Sequence, residues 1–295
     1  MNRKKPFSWV IPFITFSMMH FMLSAQAPAE LDSKMKPGTS NDMRIEELKV
    51  RWKKSALENC PGVPCVTTSF TCGTSTISDI DGNSYNTVAI GTQCWTKENL
   101  TVSKYNDGTV IPLDQSGGTV GNGTPTETWS AFNSGAKTVF EHNPTYLNEL
   151  GYLYNWHAAV DNRGICPTGW KVPTKLEWQT LETFLSIGGD AGLKMMVTTR
   201  PYGWTTSSKT NSSGFTALSS GYRLGTTGSP GFSGKFFRAD VPGALSPPFY
   251  ARYWSIDSVS PTSKDVVILE DQMTGGFYLT QDPPNLGASI RCLKN

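Results

Sequence analysis

Six cysteines (Cys60, Cys65, Cys72, Cys94, Cys166, Cys292) and two histidines beyond the N-terminal segment (His142, His157) are the groups that could hold a metal or supply a nucleophile and its base. Cys60 and Cys65 have four residues between them, a spacing zinc tolerates, but a zinc site needs a second close pair and none follows. No metal and no cofactor are expected. Asp79, Asp81 and Asn83 resemble the opening of a calcium loop. The pattern then fails: Gly82 precedes Asn83 instead of following it, and Ile90 stands where the closing glutamate belongs. A hairpin turn is the better reading. His157 sits among Tyr152, Tyr154 and Trp156, and no Ser, Cys or acid nearby completes a nucleophile–base set. It reads as a hydrogen-bonded core residue. Aromatic faces offer the remaining chemistry, because they stack on sugars and anchor protein interfaces. Trp129, Trp204, Tyr222, Tyr250, Tyr253 and Trp254 are the candidates, most of them expected in the core.

The elements that must position these residues begin with a targeting segment. Arg3, Lys4 and Lys5 precede an apolar run from Phe7 to Leu23, and small residues around Ala25 suit cleavage there. Ser8, Pro12, Thr15, Ser17 and His20 interrupt the run, whereas a spanning helix wants about 20 clean apolar residues. The chain is therefore expected to be exported, with an extracellular, outer-surface or periplasmic address and no membrane span after cleavage. Loss of three basic residues takes the net charge from +2 to −1. That near-neutral charge gives no reason to expect nucleic acid as a partner. An even number of cysteines in an exported chain reads as a disulfide set, and six allow 15 pairings among which the sequence does not choose.

Four segments follow from composition: a signal peptide (1–25), a flexible leader (26–59), a cysteine-containing joint (60–71) and one main domain (72–295). In the leader, Ile45, Leu48, Trp52 and Ala56 fall at helical spacing within 43–57, a short helix available for docking or self-association. In the main domain, Tyr85–Ile90 alternates as a strand that Gln93-Cys94-Trp95 continues. Thr174 and Glu177 form a capping box, opening a helix whose face runs through Leu176, Thr180, Phe184 and Ile187 and is widened by Trp178, Leu181 and Leu185. Short β-like pieces around Phe215, Trp254, Val267 and Ile290 follow, separated by loops, the longest being 225–248.

Several of these pieces together resemble the FISUMP family, the Fibrobacter succinogenes major paralogous domain of exported bacterial proteins. They are Ile80-Asp81-Gly82-Asn83, Ile90-Gly91-Thr92-Gln93-Cys94-Trp95, Tyr152-Leu153-Tyr154-Asn155-Trp156, Cys166-Pro167-Thr168-Gly169-Trp170 through Trp178, Gly221-Tyr222-Arg223, Tyr253-Trp254-Ser255 and Ile290-Arg291-Cys292. The chain departs from the family at 225–248 and at Ser255-Ile256. The resemblance implies an α+β, C-type-lectin-like single domain of short antiparallel strands, one or two helices and long loops. It also implies disulfides Cys166–Cys292, Cys72–Cys94 and Cys60–Cys65. The function expected is a non-catalytic surface or secreted module that binds a glycan or a protein, with Trp204, Tyr222, Arg223, Tyr253 and Trp254 at the ligand. A structural subunit of an appendage or matrix is the alternative. An oxidoreductase like the sulfatase-modifying enzymes, which share the Pro-Thr-x-x-Glu-Trp helix start, is a distant third, because it needs reduced cysteines. The disulfide set predicts no free thiol in the unreduced, denatured chain of residues 26–295. Two or more titrating with a thiol reagent would break the assignment.

Overall fold

The computed structural model describes residues 69–116, 127–188, 190–199, 204, 208–225, 236–237, 250–270 and 276–295. The signal peptide, the leader with its helix, Cys60, Cys65 and most of 225–248 lie outside the described residues. The architecture is mixed α/β, with mostly antiparallel pairing, few helices and two disulfides.

Turn chemistry sets the first sheet. Thr76–Ser78 (β1) and Ser84–Ile90 (β2) pair antiparallel around Asp79–Asn83. The Asp79 carboxylate accepts from the backbone N–H of Asp81 and Asn83, from Asn83 Nδ2 and from the Tyr85 hydroxyl. Asp81 is held by the Ser103 N–H and by Lys104 Nζ at 3.0 Å. The segment is thus a hairpin turn in which the Asp79 and Asp81 carboxylates face donors of the protein itself. The next two-residue turn reverses the chain at Gly91, whose φ of 60° suits glycine. Gln93–Thr96 (β3) is therefore a separate strand, paired back from Ile90↔Gln93, and does not continue β2.

Glu127–Ser130 (α1) comes next, followed by Lys137–Val139 (β4) paired with Tyr152–Tyr154 (β5), with Leu147–Leu150 (α2) between. Trp156–Ala159 (α3) leads to Trp170–Lys171 (β6), Lys175–Ser186 (α4) and Ala191–Met195 (α5). Tyr222–Arg223 (β7) pairs with Phe236–Phe237 (β8). Tyr250–Ser260 (β9), Ser263–Glu270 (β10) and Phe277–Asp282 (β11) form a three-stranded sheet, and Leu293–Lys294 (β12) enters the first sheet between β3 and β6. The chain's end is thus an inner strand. The disulfides Cys166–Cys292 and Cys72–Cys94, the two described pairs that the resemblance implies, fasten it to the loop before β6 and fasten β3 to the chain before β1.

The capping box at α4 is present, with the Glu177 N–H donating to Thr174 Oγ1 and the Thr174 N–H to Glu177 Oε2. The helix is turned otherwise than its longest apolar stripe suggests. Trp178, Leu181 and Leu185 are buried, while Leu176, Phe184 and Ile187 are 71%, 50% and 75% exposed. The reason is Trp178. Its ring packs 4.7 Å from Trp95 and 5.8 Å from Tyr253, and burying an indole outweighs burying the aliphatic stripe.

Arg291 lies in the same aromatic nest, fully buried, 4.6 Å from the Phe215 ring. Its guanidinium donates to Asn99 Oδ1 and to the carbonyls of Thr96, Phe215 and Thr216. Thr216 is a β-branched residue held at φ 58°, a costly conformation that Arg291 and Asn211 fasten from either side. Arg291→Met would leave four buried acceptors without donors. It should cost about 3–5 kcal/mol in denaturant unfolding. Arg291→Lys should not restore it, since one ammonium lacks the forked geometry. A loss under 1 kcal/mol for the methionine variant, on that same scale, would refute the role.

Lys137 is also buried, donating to the carbonyls of Ser103 and Ile111, with desolvation pushing its ammonium down to about 8. The folded pKa lies below the unfolded one, so the folded state binds the proton less tightly. Stability should therefore rise as pH goes from 8 towards 10. The difference in unfolding free energy between wild type and Lys137→Met isolates this effect from tyrosine ionisation. A difference that stays flat or falls across that range would contradict it.

Candidate binding cleft

The five residues expected at a ligand are all buried, which corrects that expectation. Trp204 is 1% exposed and donates its indole N–H to the Ala217 carbonyl. Tyr222 lies beneath the Arg252 guanidinium, 3.9 Å from its ring. Arg223 is sealed between Asp114, with Nη1 2.5 Å from Oδ2, and the Trp129 ring at 4.6 Å. Tyr253 packs between Trp178 and Phe215, and Trp254 donates its indole N–H to the Tyr154 carbonyl. These side chains build the core that positions other groups. They present little or no face to solvent, Tyr222 the most at 8%.

The surface feature lies one layer out. A cleft of about 420 Å³ opens between α3, the loop that carries Cys166, and the start of the β9 hairpin arm. Its walls include Trp156, Val160, Ile165, Trp170, Val172 and Ile256. Asp161, Lys171 and Ser258 add polar groups.

Each wall has a local cause. Asn155 caps α3, its Oδ1 accepting from the Ala158 N–H and also from the Ala136 N–H, so Trp156 starts a helix of fixed direction. The turn from Pro167 to Trp170 closes with a Trp170 N–H to Pro167 carbonyl bond, with Gly169 at φ 84°. Cys166, bonded to Cys292, lies in the lining and ties that turn to the final strand. Phe70 meets Trp170 edge-on at 5.9 Å.

The third wall comes from an irregularity. Between Trp254↔Val266 and Ser258↔Lys264, β9 spends four residues where β10 spends two. This bulge kinks the strand, as bulges do next to functional sites. The Ile256 N–H donates to the Pro173 carbonyl, and Asp257 accepts from the Lys175 N–H at the start of α4. Ile256 is left 38% exposed in the cleft wall.

The charges here are mutually satisfied. Asp161 takes two bonds from the Arg163 guanidinium, both at 2.7 Å, and that hydrogen bonding holds its carboxyl below the usual range. Lys171 Nζ lies 2.6 Å from Glu177. Lys264 Nζ sits 4.0 Å over the Trp156 ring while donating to Ser258 Oγ and to the Ser260 carbonyl. The Trp156 indole N–H is buried and has no partner among the described residues. His157, next in the chain, is half-buried; desolvation first, then the Lys264 charge, lower its pKa and favour the neutral ring. No group of three His, Cys, Asp or Glu side chains able to hold a metal occurs among the described residues. The arrangement can hold an uncharged molecule by stacking and hydrogen bonding.

Trp204, Tyr222, Tyr253 and Trp254 are core residues, whereas Trp156 and Trp170 line the cleft. Trp156 and Trp170 were visible as motif residues on either side of Cys166, and that flanking of a disulfide-tied loop was the available signal. No curated protein and no solved structure matches the chain. The Fibrobacter succinogenes major domain family matches residues 88–294, well over half of the chain and all of the cleft, and the protein belongs to that family.

Proposed function

We propose that the protein is an exported, non-catalytic binding module that receives a glycan or protein ligand in the Trp156–Trp170 cleft. The carrying observation is the cleft itself, an amphiphilic recess on a frame tied by Cys166–Cys292. Sites of this size lined by aromatic and aliphatic groups with a few placed polar ones are the usual small-ligand sites. Export is supported by the two disulfides, which persist in oxidising compartments, and no helix among the described residues is long and apolar enough to cross a membrane. The non-catalytic reading rests on the four described cysteines, all bonded to one another and so unable to offer a thiolate. The C-type-lectin-like assignment belongs to this proposal too. Its support is the final strand lying beside the N-terminal hairpin, with long loops between.

The test is a screen of residues 26–295 on glycan and peptide arrays, with and without calcium, run alongside Val160→Arg, which fills the cleft. Signals present in the wild type and lost in the variant are expected on one of the two arrays. Identical hit sets for both proteins would remove the cleft from the reading.

A second reading, a structural subunit, is favoured by one specific observation: Leu176, Phe184 and Ile187 form an exposed apolar stripe on α4. It predicts self-association in sedimentation velocity that Phe184→Asp abolishes. A monomer at every concentration would dispose of it.

A further inference from the structure

We propose that the cleft is a subsite for one neutral pyranose ring of an uncharged glycan, stacked on Trp156, with the Asp161 carboxylate and the Lys171 ammonium as its hydrogen-bonding groups. This deepens the binding-module reading and rests on it.

Three features of the lining select that class. The first is its division into apolar and polar parts. Val160, Ile165, Val172 and Ile256 are aliphatic and Trp156 and Trp170 aromatic, while Asp161, Lys171 and Ser258 are polar. A pyranose has the matching division, with a face of C–H bonds and an edge of hydroxyls that both donate and accept. An aliphatic side chain from a protein partner would match only the first part.

The second is charge. Asp161 is neutralised by Arg163, Lys171 by Glu177, and Lys264 is taken up by Ser258, Ser260 and the Trp156 ring. An anionic or cationic ligand would find no counter-charge and would lose its hydration. A neutral ligand suffers no such loss. The paired groups still have capacity for it: a carboxylate has about four lone-pair sites, and the three bonds from Arg163 leave Asp161 able to accept from a hydroxyl. Lys171 likewise has ammonium protons beyond the one directed at Glu177.

The third is the Trp156 ring, which lines the cleft and is only half-buried. Lys264 fixes the indole from one side, so the ring is ordered before a ligand arrives and less rotamer entropy is lost on binding.

The experiment is calorimetric titration of residues 26–295 with neutral hexaoses of glucose, mannose, galactose and xylose, with oligogalacturonate as the anionic counterpart. N-acetyltryptophanamide serves as an apolar probe without a sugar. The variants are Trp156→Phe, Asp161→Asn and Ile256→Arg, each checked for an unchanged melting temperature. At least one neutral hexaose should bind, and oligogalacturonate should not bind more tightly. Trp156→Phe, which narrows the stacking face, should weaken binding roughly threefold. Ile256→Arg should abolish it. If N-acetyltryptophanamide binds, Ile256→Arg removes it and no hexaose binds, the cleft is a ligand site but the sugar assignment is wrong. If a hexaose binds equally to wild type and Ile256→Arg, the sugar site lies elsewhere and both the inference and the cleft reading fail. If neither hexaoses nor the probe bind, the inference is overturned.

Discussion

A single buried cation organises this domain. Arg291 carries a full charge into a place with no water, and its charge is met by three backbone carbonyls and one amide oxygen. Those acceptors come from the end of β3, the segment just after it, and the loop at Phe215-Thr216, while the cation itself stands beside Cys292. Chain positions roughly 75 and 195 residues apart are thereby forced together. Carbonyl dipoles are weaker partners than a carboxylate, so several must be aimed correctly at once, and that requirement is what makes the arrangement specific. The aromatic cluster of Trp95, Trp178, Phe215 and Tyr253 then closes over the guanidinium as its non-aqueous wall.

The cleft inherits its shape from that centre. With Arg291 placed, Cys292 lies against the loop carrying Cys166, and β12 completes the sheet between β3 and β6. Trp254, buried by its bond to the Tyr154 carbonyl, sets the height at which β9 leaves the core. The bulge directly after it then brings Ile256 towards Pro173. Each cleft wall is one covalent step from a buried anchor: Trp156 from the Asn155 cap, and Val172 from the segment that opens α4. Groups positioned in this way move little, which suits recognition.

The α4 stripe and the cleft are both apolar features of the described surface, and they differ in kind. The α4 stripe of Leu176, Phe184 and Ile187, with Thr180 among them, stands exposed on the helix, a surface suited to another protein. The cleft is concave, mixed in polarity and electrically balanced, a surface suited to a small uncharged unit. The capping box links them, since Glu177, which caps α4, also holds Lys171 at the cleft rim.

Local chemistry was legible in the sequence. The Asp79–Asn83 turn, the Thr174 capping box and the end of α4 near Gly188 depend only on residues a few positions apart, so they appear where the pattern puts them. Family resemblance paired Cys166 with Cys292 and Cys72 with Cys94, which spacing alone left open among 15 connectivities. The reversal at Gly91 is hidden in the sequence because strand-like residues continue on both sides of a two-residue turn. The facing of α4 and the fate of each aromatic were decided only in three dimensions. Trp178 buries because Trp95 and Tyr253 arrive from distant strands, and Trp254 buries because Tyr154 offers a carbonyl. Trp156 stays half-buried at a cleft because a bulge in β9, with no local signature in the sequence, turns the neighbouring chain aside. A tryptophan's own neighbours in sequence state that it can be buried. Whether it is depends on which long-range partners fill the space around it, and those are supplied by the tertiary structure.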